Sequence, residues 1–454
     1  MTGPEVRKAE PAVAVLLAAG KGTRICTKSR GPKPIARVLG LSLAERVVCT
    51  FLKDLGVRRF VVVVGHEAEI VKSHFRDIAL RRGATVKFVE PDDWRRGNGA
   101  SALSARGRTG ETPFYLSMTD HLFAPEIGRV LARHAPAEGQ VCLAVDKDKS
   151  GVFDPEDATR VKVDGDRIRE IAKDLEDWDA ADTGVLLCSE ALFDGLERAA
   201  ARGMHGLCDG LRELAREGRA IAVDVTGHDW LDVDTPEAVR EAERRVMSQQ
   251  GRKISDGPVA RYLNRPVSRW LTRYLVRTAV TPNQISIASW LLACVAAALF
   301  VTGGYPALAA GGVVAQLASI VDGCDGEVAR LRREQSDFGG WFDAILDRYA
   351  DAFLLFGLTW HEFAATGTQM SLVIGVAAII GAFVHSYTAD KYDGMMTRKL
   401  RGAPYFRPGR DVRTFVIFLG ALLNGPLLAL AVIAVMTNVD VVRRIILCAR
   451  EEKA

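Results

Sequence analysis

The sequence has few residues suited to thiolate or disulfide chemistry. Its 454 residues include 8 cysteines and 8 histidines, and the cysteines are spread singly, with no CxxC pair and no Cys/His cluster. This pattern argues against structural zinc and indicates reduced thiols in a cytosolic setting. The formal net charge is only +4, so the composition gives no reason to expect nucleic acid as a partner. Low-complexity tracts and short repeats are also missing.

Long apolar runs are absent from the first half of the chain and recur in the second. Up to about residue 250, charges are scattered throughout and no apolar run could span a bilayer. The opening stretch MTGPEVRKAEPAV lacks the basic-then-apolar pattern of a signal peptide, so we expect the first half to stay in the cytoplasm. The length allows two or three domains. We predict domains at 1–245 and 281–454, joined by a linker and juxtamembrane helix at 246–280.

The stretch VAVLLAAGKGTRI at 13–25 begins as a buried parallel strand and then breaks into a glycine-containing loop. Glycines let the backbone approach a phosphate closely, and successive N–H groups form an anion-binding nest. The mobile cations Lys21, Arg24 and Lys33 would complement a triphosphate. Further strands are expected at 59–66, 84–90, 113–120, 140–146 and 184–189. With the helical pattern between the first two strands, they predict an α/β domain.

The combination of motifs in the first half resembles a known enzyme family. LAAGKGTR, followed nine residues later by Lys33-Pro34, resembles the signature of sugar-nucleotide pyrophosphorylases and related nucleotidyltransferases. Within that superfamily, RGNGASAL (96–103), TDH (119–121), DTG (182–184) and WLDVDTPE (230–237) look like inositol-1-phosphate cytidylyltransferases. The resemblance covers roughly residues 12–245. It implies a GT-A-like Rossmann fold that joins CTP to a phosphorylated alcohol and releases pyrophosphate.

The resemblance also assigns roles to residues of the first half. Lys33 would face the triphosphate as a catalytic cation, with Arg24 beside it, and Lys173 would face the acceptor phosphate. The expected nucleotide-binding residues are Ala19, Gly20, Gly22, Thr23, Lys33, Asn98 and Ser101.

Acidic residues of the first half form a candidate magnesium site. Asp120 ends a strand, the usual place for a ligand site in an open α/β sheet. With Asp232 or Asp234 it could hold Mg²⁺, a hard cation that prefers carboxylate oxygen. The alternative is that Asp232 and Asp234 cap the following helix, because DTPEAVREAERRV has cap, Pro and Glu in helix-start order. Asp182 could be a turn residue or contact the substrate.

Between the halves, RPVSRWLTRYLVRT at 265–278 has the pattern of an amphipathic helix. Its apolar residues would face the membrane surface while arginines flank them, and the alternative is a solvated linker helix. The residues concerned are Trp270, Leu271, Tyr274 and Leu275, with Arg269, Arg273 and Arg277.

The second half is predicted to be an all-α membrane domain of six helices. The expected spans are 286–303, 306–324, 341–360, 370–389, 411–424 and 425–440. Lys and Arg are concentrated between spans two and three, between four and five, and after six, while the other connections carry none. By the positive-inside rule, the basic loops are cytoplasmic, on the same side as the first domain.

Four carboxylates lie where the flanking sequence predicts membrane, in DGCDGEVARLRREQSDFGGWFDAILD at 322–347. Spacings of three and four place Asp322 with Asp325, and Asp343 with Asp347, on single faces of two consecutive helices. Two facing pairs would form an oxygen cage for one or two Mg²⁺ or Mn²⁺ ions. The alternative is that the carboxylates reach the membrane interface beside nearby arginines.

The same stretch fills every fixed position of D-x2-DG-x2-AR-x8-G-x3-D-x3-D, the signature that CDP-alcohol phosphatidyltransferases carry. The resemblance covers roughly 265–445 and implies six transmembrane helices, a homodimer and a divalent-metal site. It also implies that the metal bridges the pyrophosphate of a CDP-alcohol and that Asp347 is the general base. Nucleotide contacts are expected from Pro282 and Asn283 of TPNQIS, and from Gly326, Ala329 and Arg330.

Basic residues near the start of the fifth span are candidates to bind the phosphate of a soluble acceptor. They are Lys391, Arg398, Arg410 and Arg413. A plain positive-inside loop would explain the same charges.

The chain as a whole resembles the bifunctional inositol-1-phosphate cytidylyltransferase/di-myo-inositol-phosphate phosphate synthase family. That resemblance implies that CTP and inositol 1-phosphate give CDP-inositol, which then reacts with a second inositol phosphate. One alternative is a phospholipid-synthesising enzyme with a CDP-diacylglycerol donor or a lipid acceptor. A third interpretation is a nucleotide-sensing module on a membrane scaffold, which the intact aspartate signature disfavours.

Overall fold

The computed structural model describes residues 11–22, 24–25, 31–110, 113–134, 136–137, 139–249, 257–399 and 409–451. It separates into two compact units, Met1–Met247 and Ser248–Ala454. The first unit is α/β and the second is helical.

In its described part, the first unit contains thirteen strands and seven α-helices. The strands are β1 (Val13–Ala18), β2 (Arg37–Val38), β3 (Leu41–Ser42), β4 (Arg59–Val64), β5 (Thr85–Val89), β6 (Phe114–Met118), β7 (His121–Phe123), β8 (Val141–Asp146), β9 (Arg160–Asp164), β10 (Arg167–Ala172), β11 (Ala180–Cys188), β12 (Ala220–Asp224) and β13 (Trp230–Asp232). The helices are α1 (Leu43–Cys49), α2 (Ala68–Arg82), α3 (Asn98–Leu103), α4 (Pro125–His134), α5 (Ala191–Ala201), α6 (Leu207–Arg216) and α7 (Pro236–Ser248). Each of the strands predicted at 59–66, 84–90, 113–120, 140–146 and 184–189 is confirmed.

The central sheet has nine strands in the order β5-β4-β1-β6-β11-β8-β12-β10-β9. Strands β5, β4, β1 and β6 run parallel, and β11 is antiparallel to both its neighbours β6 and β8. Along β1, Val13 and Val15 belong to one hydrophobic core while Ala14 and Leu16 belong to another. Both faces of the sheet are therefore buried, which explains the nearly continuous apolar run of β1.

The second unit contains seven α-helices in its described part. They are α8 (Arg265–Leu275), α9 (Pro282–Thr302), α10 (Tyr305–Leu331), α11 (Asp337–Thr366), α12 (Gln369–Lys399), α13 (Arg410–Leu422) and α14 (Pro426–Glu451). Small residues of α9, α10 and α11 meet in a shared core, among them Ala293, Ala315 and Ala350. Small side chains allow helix backbones to approach closely, as is usual in membrane domains.

Four of these helices are long and apolar enough to cross a membrane: α9, α10, and the segments Gln369–Ala389 of α12 and Pro426–Ile446 of α14. Helices α11 and α13 occupy the third and fifth predicted spans. Helix α11 carries Asp343, Asp347 and Asp351, and α13 has only 13 residues, fewer than the roughly 20 that cross a hydrocarbon core. The six predicted helices are present, and whether all six span a membrane stays a prediction.

Helix α8 packs against α10 through polar side chains. Ser268 and Thr272 donate hydrogen bonds of 2.9 and 2.8 Å to Glu327, whose carboxylate also contacts Arg265 at 2.9 Å. On the outer face, Trp270 and Tyr274 are 59% and 58% exposed. Trp270 and Tyr274 therefore face outward as predicted, whereas Leu271 and Leu275, which were expected to face the membrane surface with them, pack against a core cluster of Ile285, Cys324 and Val328.

Candidate active sites

In the first unit, a lysine and two aspartates converge where three loops meet. Lys33 begins a short 3₁₀ turn, Asp120 follows β6, and Asp232 ends β13. The ammonium group of Lys33 forms an ion pair with Asp120 and lies 3.8 Å from Asp232 Oδ1. Register pairing of β13 with β7 places Asp232 opposite His121. The structure thus brings together three of the predicted residues. Lys33 and Asp120 are about 90 residues apart in the sequence, and Asp120 and Asp232 are about 110 residues apart.

A cavity of 280 Å³ lies on one side of this cluster. Its lining includes most of the predicted nucleotide-binding residues of the first unit: Ala19, Gly20, Gly22, Lys33, Asn98 and Ser101. Gly22 has a φ of +59°, and a β-carbon there would overlap the Lys33 side chain. Glycine is therefore required at 22 for the loop to reach the lysine. Thr23 lies outside the described residues.

Sequence reasoning missed Trp94, which also lines this cavity. Its indole lies 5.7 Å from the His66 ring, and a β-carbon at Gly65 would meet Trp94 Cγ at 2.5 Å. The guanidinium of Arg95 lies 4.8 Å from the centre of the same ring, so Trp94 adds an aromatic group beside a cation to this cavity wall. Trp94 begins a short 3₁₀ helix, and as an isolated aromatic residue it gave no sequence signal of this position.

A second cavity, of 270 Å³, lies on the other side of the cluster and shares Lys33, Asn98 and Asp120 with the first. Arg24 and Lys173, the other predicted cations, both line it. Asp157 contacts Arg24 Nη1 at 3.0 Å and Lys173 Nζ at 2.7 Å. Arg24 also forms an ion pair with Asp234. The two cavities, meeting at Lys33 and Asp120, could hold two substrates whose reacting atoms approach one another there.

The charged groups in this cluster shift one another's pKa values. Burial opposes ionisation of Lys33, yet the carboxylates of Asp120 and Asp232 outweigh it and raise the lysine pKa. Burial likewise opposes ionisation of Asp120, but the Lys33 charge and the His121 hydrogen bond hold its pKa below the usual range. Asp232 has a raised pKa because it is buried.

His121 is a member of the site that sequence reasoning quoted within TDH without giving it a role. Its Nδ1 donates a 3.0 Å hydrogen bond to Asp120 Oδ1, and its Nε2 lies 4.0 Å from Asp232 Oδ2. Burial would lower the pKa of His121, but the Asp232 and Asp120 charges raise it to about 9. Asp182 lines the second cavity and also accepts a 2.7 Å hydrogen bond from the Gly184 amide, so it is a turn residue that faces the site.

The capping alternative for the two later aspartates is wrong. Helix α7 begins at Pro236, and the side chain that caps it is Thr235, which accepts a 3.1 Å hydrogen bond from the Ala238 amide. Asp232 and Asp234 instead line the second cavity.

In the second unit, the carboxylates of Asp322, Asp325 and Asp343 come together between α10 and α11, with ligand atoms within 4.8 Å of one another. Two serines of α9 support them. Ser286 donates to Asp325 at 2.5 Å, and Ser289 to Asp322 at 3.3 Å. These serines, at a spacing of three on one helix face, were not identified from the sequence.

Asp347 lies beside this group but is paired with an arginine. Arg410, the first residue of α13, forms an ion pair with Asp347 and contacts Asp322 at 2.8 Å. Its Nε lies 3.5 Å from Asp351 Oδ1. The predicted acceptor-phosphate residue Arg410 therefore belongs to the carboxylate cluster itself, which sequence spacing could not show.

Arg413 does not join that cluster. It is 3% exposed, and its Nη2 donates to Asp351 at 2.6 Å and to Ser386 at 3.2 Å. The buried carboxylate of Asp351 holds its guanidinium, and a contact of Arg413 with an acceptor phosphate stays a prediction.

The remaining predicted residues have varied positions. Pro282 and Asn283 open α9, and a β-carbon at Gly339 of α11 would lie 3.5 Å from the Asn283 side chain. Gly326 donates its amide hydrogen to Asp325. Ala329 and Arg330 are half-buried near the end of α10. The side chains of Lys391 and Arg398 lie outside the described part of the chain.

Both acidic clusters fit a hard divalent cation. Carboxylate oxygens are the ligands that Mg²⁺ prefers. Asp120, His121 and Asp232 bring ligand atoms within 4.8 Å, as do Asp157, Asp232 and Asp234. Asp232 Oδ1 and Asp343 Oδ1 are buried and have no hydrogen-bond partner among the described residues. Buried oxygens of this kind are normally satisfied, so each cluster has acidic groups that could bind a metal.

The fold and the two sites define a nucleotidyltransferase domain fused to a CDP-alcohol phosphotransferase domain. Family models match both halves: MobA-like NTP transferase domain over residues 14–220, and CDP-alcohol phosphatidyltransferase over residues 279–442. With its four apolar helices, the protein is a membrane-associated transferase.

Relatives that match nearly the whole chain identify the family within this class of transferases. The chain is 40% identical over 434 residues to the bifunctional IPC transferase and DIPP synthase of Rubrobacter xylanophilus, covering 95% of each protein. It is 32% identical over 442 residues to that of Aquifex aeolicus, covering 96% of this chain and 97% of the relative. The chain belongs to the family of bifunctional IPC transferases and DIPP synthases. The solved structure of the inositol-1-phosphate CTP transferase from T. maritima is 25% identical, with a TM-score of 0.48 over 53% of this chain and 98% of that one.

Proposed function

We propose that this chain catalyses two consecutive transfers. The first unit joins CTP to inositol 1-phosphate, giving CDP-inositol and pyrophosphate. The second unit transfers phosphoinositol from CDP-inositol to an inositol phosphate, giving di-myo-inositol phosphate phosphate and CMP. The names of the full-length relatives support this pair of reactions. The observation that carries the first transfer is the pair of cavities that share Lys33 and Asp120, and the second transfer rests on the group formed by Asp322, Asp325 and Asp343.

In the first reaction, an oxygen of the acceptor phosphate attacks the α-phosphorus of CTP and pyrophosphate leaves. Such a reaction depends mainly on positioning and charge neutralisation. The loop of Ala19, Gly20 and Gly22 would hold the triphosphate with its backbone amides, and Lys33 would neutralise charge where the cavities meet. Arg24 and Lys173 would hold the acceptor phosphate by exchanging Asp157 for it.

Mg²⁺, or Mn²⁺, would be held in the first unit by Asp120 with Asp232 or Asp234. In the second unit Asp322, Asp325 and Asp343 would hold it, with Asp347 beside them. When bound, the ion neutralises phosphate charge and stabilises the leaving group. Ser286 and Ser289 keep the α10 carboxylates oriented by donating hydrogen bonds to them.

In the second reaction, a hydroxyl of the acceptor attacks the phosphorus that carries inositol, and the bond to CMP breaks. Asp347 would accept the hydroxyl proton as general base. Its position beside the three-carboxylate group supports this role. The nucleotide would lie against Pro282 and Asn283 at the start of α9 and against Gly326, Ala329 and Arg330 of α10.

The arrangement in the cell belongs to the same proposal. We infer that the second unit crosses the cell membrane with six helices and that both sites face the cytoplasm, because the basic connections share one side. We also infer a homodimer through the membrane helices, as the family resemblance implies.

One experiment tests the pair of reactions. Purified full-length protein is incubated with CTP, Mg²⁺ and inositol 1-phosphate, and products are followed by ³¹P NMR. Pyrophosphate and CDP-inositol, followed by a phosphodiester, are expected. A reaction that requires CDP-diacylglycerol or a lipid acceptor would instead favour phospholipid synthesis.

A further inference from the structure

Arg332, the residue directly after α10, is buried and donates hydrogen bonds to a run of backbone carbonyls. The residue is 8% exposed. Its Nη1 donates to Val280 O at 2.6 Å, and its Nη2 donates to Leu275 O at 3.0 Å and to Val276 O at 3.1 Å. Nη2 also donates to Thr278 O. One guanidinium therefore holds four carbonyls at the end of α8 and in the α8–α9 connection, residues 276–281.

The position of these carbonyls explains why a buried arginine binds them. Helix α8 ends at Leu275, and the last carbonyls of a helix have no partner within the helix. The carboxyl end of a helix also carries partial negative charge, which favours a cation. Arginine presents five N–H donors in a planar fork, whereas lysine presents three donors on one nitrogen atom. No other side chain could therefore hold as many of these carbonyls from one position.

The α8–α9 connection leads directly into Pro282 and Asn283, which are predicted to contact the nucleotide. Only Thr281 separates them from Val280. Thr281 is fixed to α9 by a capping box: its amide donates to Gln284 Oε1 at 3.0 Å, and the Gln284 amide donates to Thr281 Oγ1 at 3.3 Å. Because the connection is fixed at both ends, the position of Val280 determines where α9 begins.

The other predicted nucleotide contacts of the second unit lie in α10, just before Arg332. The Arg332 amide closes that helix by donating to Val328 O at 2.9 Å, and Arg333 then has a φ of +53°, so the chain turns out of the helix. In the aspartate signature, Arg332 falls among the eight variable positions between Arg330 and Gly339. Arg332 thus connects the two segments against which the nucleotide would lie, the start of α9 and the end of α10.

We propose that Arg332 is a positioning residue for the cytidine nucleotide of the second reaction. By holding the α8–α9 connection to the end of α10, its guanidinium fixes the distance between the two nucleotide-binding segments. Arg332 acts through backbone carbonyls and not on the reacting atoms. Loss of its side chain lets the start of α9 move, which weakens binding of the CDP-alcohol more than it slows the transfer. This inference rests on the proposed function of the second unit.

Kinetics with supplied CDP-inositol test this role. Full-length Arg332→Gln receives Mg²⁺, an inositol phosphate and increasing amounts of CDP-inositol, and the release of CMP is followed. The KM for CDP-inositol should rise by about tenfold, within the loss that misplacing a binding group by about 1 Å causes, while kcat changes little. The affinity for CMP, measured by calorimetry, should fall by a similar factor, and Arg332→Lys should recover part of both. An unchanged KM and CMP affinity in Arg332→Gln would overturn the proposal, even if the unfolding midpoint fell.

A control variant and a measurement on the wild type complete the test. Arg273→Gln, at an exposed position of α8, should keep the wild-type KM. In the wild-type protein, CMP with Mg²⁺ should slow hydrogen exchange of the amides of residues 276–283, and this measurement requires no variant to fold. If CMP binds without changing their exchange, the connection does not support the nucleotide and the proposal is wrong. Failure of the wild type to release CMP from CDP-inositol with an inositol phosphate would instead refute the proposed function.

Discussion

The imidazole ring of His121 packs against Gly184, whose backbone has a φ of +75°. A β-carbon at 184 would lie 2.7 Å from Cγ of the ring, too close for real contact. The same ring donates the hydrogen bond that orients Asp120. Gly184 of the DTG motif therefore leaves room for the His121 ring because it has no side chain.

Replacing Gly184 by Ala should displace His121 and impair cytidylyl transfer. Overlap in a packed interior costs about 1–3 kcal/mol, in addition to the strain of a positive φ. We expect a lower unfolding midpoint and slower pyrophosphate release from CTP and inositol 1-phosphate. Gly203→Ala is the matched control, because Gly203 has a φ of +77° but no described residue beyond its chain neighbours lies within 4 Å of the position a β-carbon would take. Equal losses in the two variants would show that backbone strain alone is responsible.

Lys33→Ala should block the first reaction and leave the second intact. The lysine is the cation at the junction of the two cavities of the first unit, whereas the second reaction uses residues of the other unit. With CTP and inositol 1-phosphate, no CDP-inositol should form, while supplied CDP-inositol should still give diester at the wild-type rate. Lys147→Ala removes a surface ion pair with Asp224 and serves as the control. If the variant also failed to transfer phosphoinositol from supplied CDP-inositol, the hypothesis that the two sites act independently would be wrong.

Asp347→Asn should stop the overall reaction at CDP-inositol. The amide retains the shape of the side chain but does not take a proton from the hydroxyl, a step worth about 10²–10⁴-fold in rate. ³¹P NMR should show CDP-inositol accumulating with its pyrophosphate co-product. If the variant still makes diester at the wild-type rate, Asp347 is not the base.

Glu327→Gln should loosen α8 from α10. The carboxylate is 2% exposed and accepts hydrogen bonds from Ser268 and Thr272 beside the Arg265 charge. Removing one partner of a buried ion pair costs about 3–5 kcal/mol. The unfolding midpoint of the detergent-solubilised protein should fall by several degrees. Glu334→Gln, at an exposed position just after α10, should change it little, and an equal effect of the two substitutions would refute the role of Glu327.

Glu45 should make the first unit sensitive to acid. Burial tends to raise the pKa of Glu45, but hydrogen bonds from Arg81 and Arg82 outweigh it and lower that pKa. Because the folded-state pKa is the lower one, this stabilisation is present above the unfolded-state pKa and is lost as pH falls through the folded value. The unfolding midpoint of the first unit, followed by calorimetry from about pH 6 down to about 3, should decline less steeply in Glu45→Gln. An unchanged slope would contradict the assignment.

Much of the site could be predicted from local spacing. Asp322 and Asp325 share a helix face because a separation of three residues returns to that face, and the loop after β1 follows from glycines placed at the end of an apolar run. Asp232 and Asp234 were ambiguous, because Thr235 beside them supplies the cap that the pattern required. Ser286 and Ser289 were missed because their aspartate partners lie more than 30 residues along the chain, and His121 was missed because its second carboxylate neighbour, Asp232, comes from a distant strand.

By itself, the sequence determined the two folds and the two classes of transfer. A motif within one helix or one loop determines which of its side chains lie close together, because that depends on local geometry and not on the packing around it. Only the tertiary structure decided that Lys33 meets Asp120, that Arg413 turns to Asp351 and that Arg410 engages Asp347. The partners in each pair are between about 60 and 90 residues apart. Contacts at such separations depend on how whole helices and strands pack, and no short-range pattern encodes that packing.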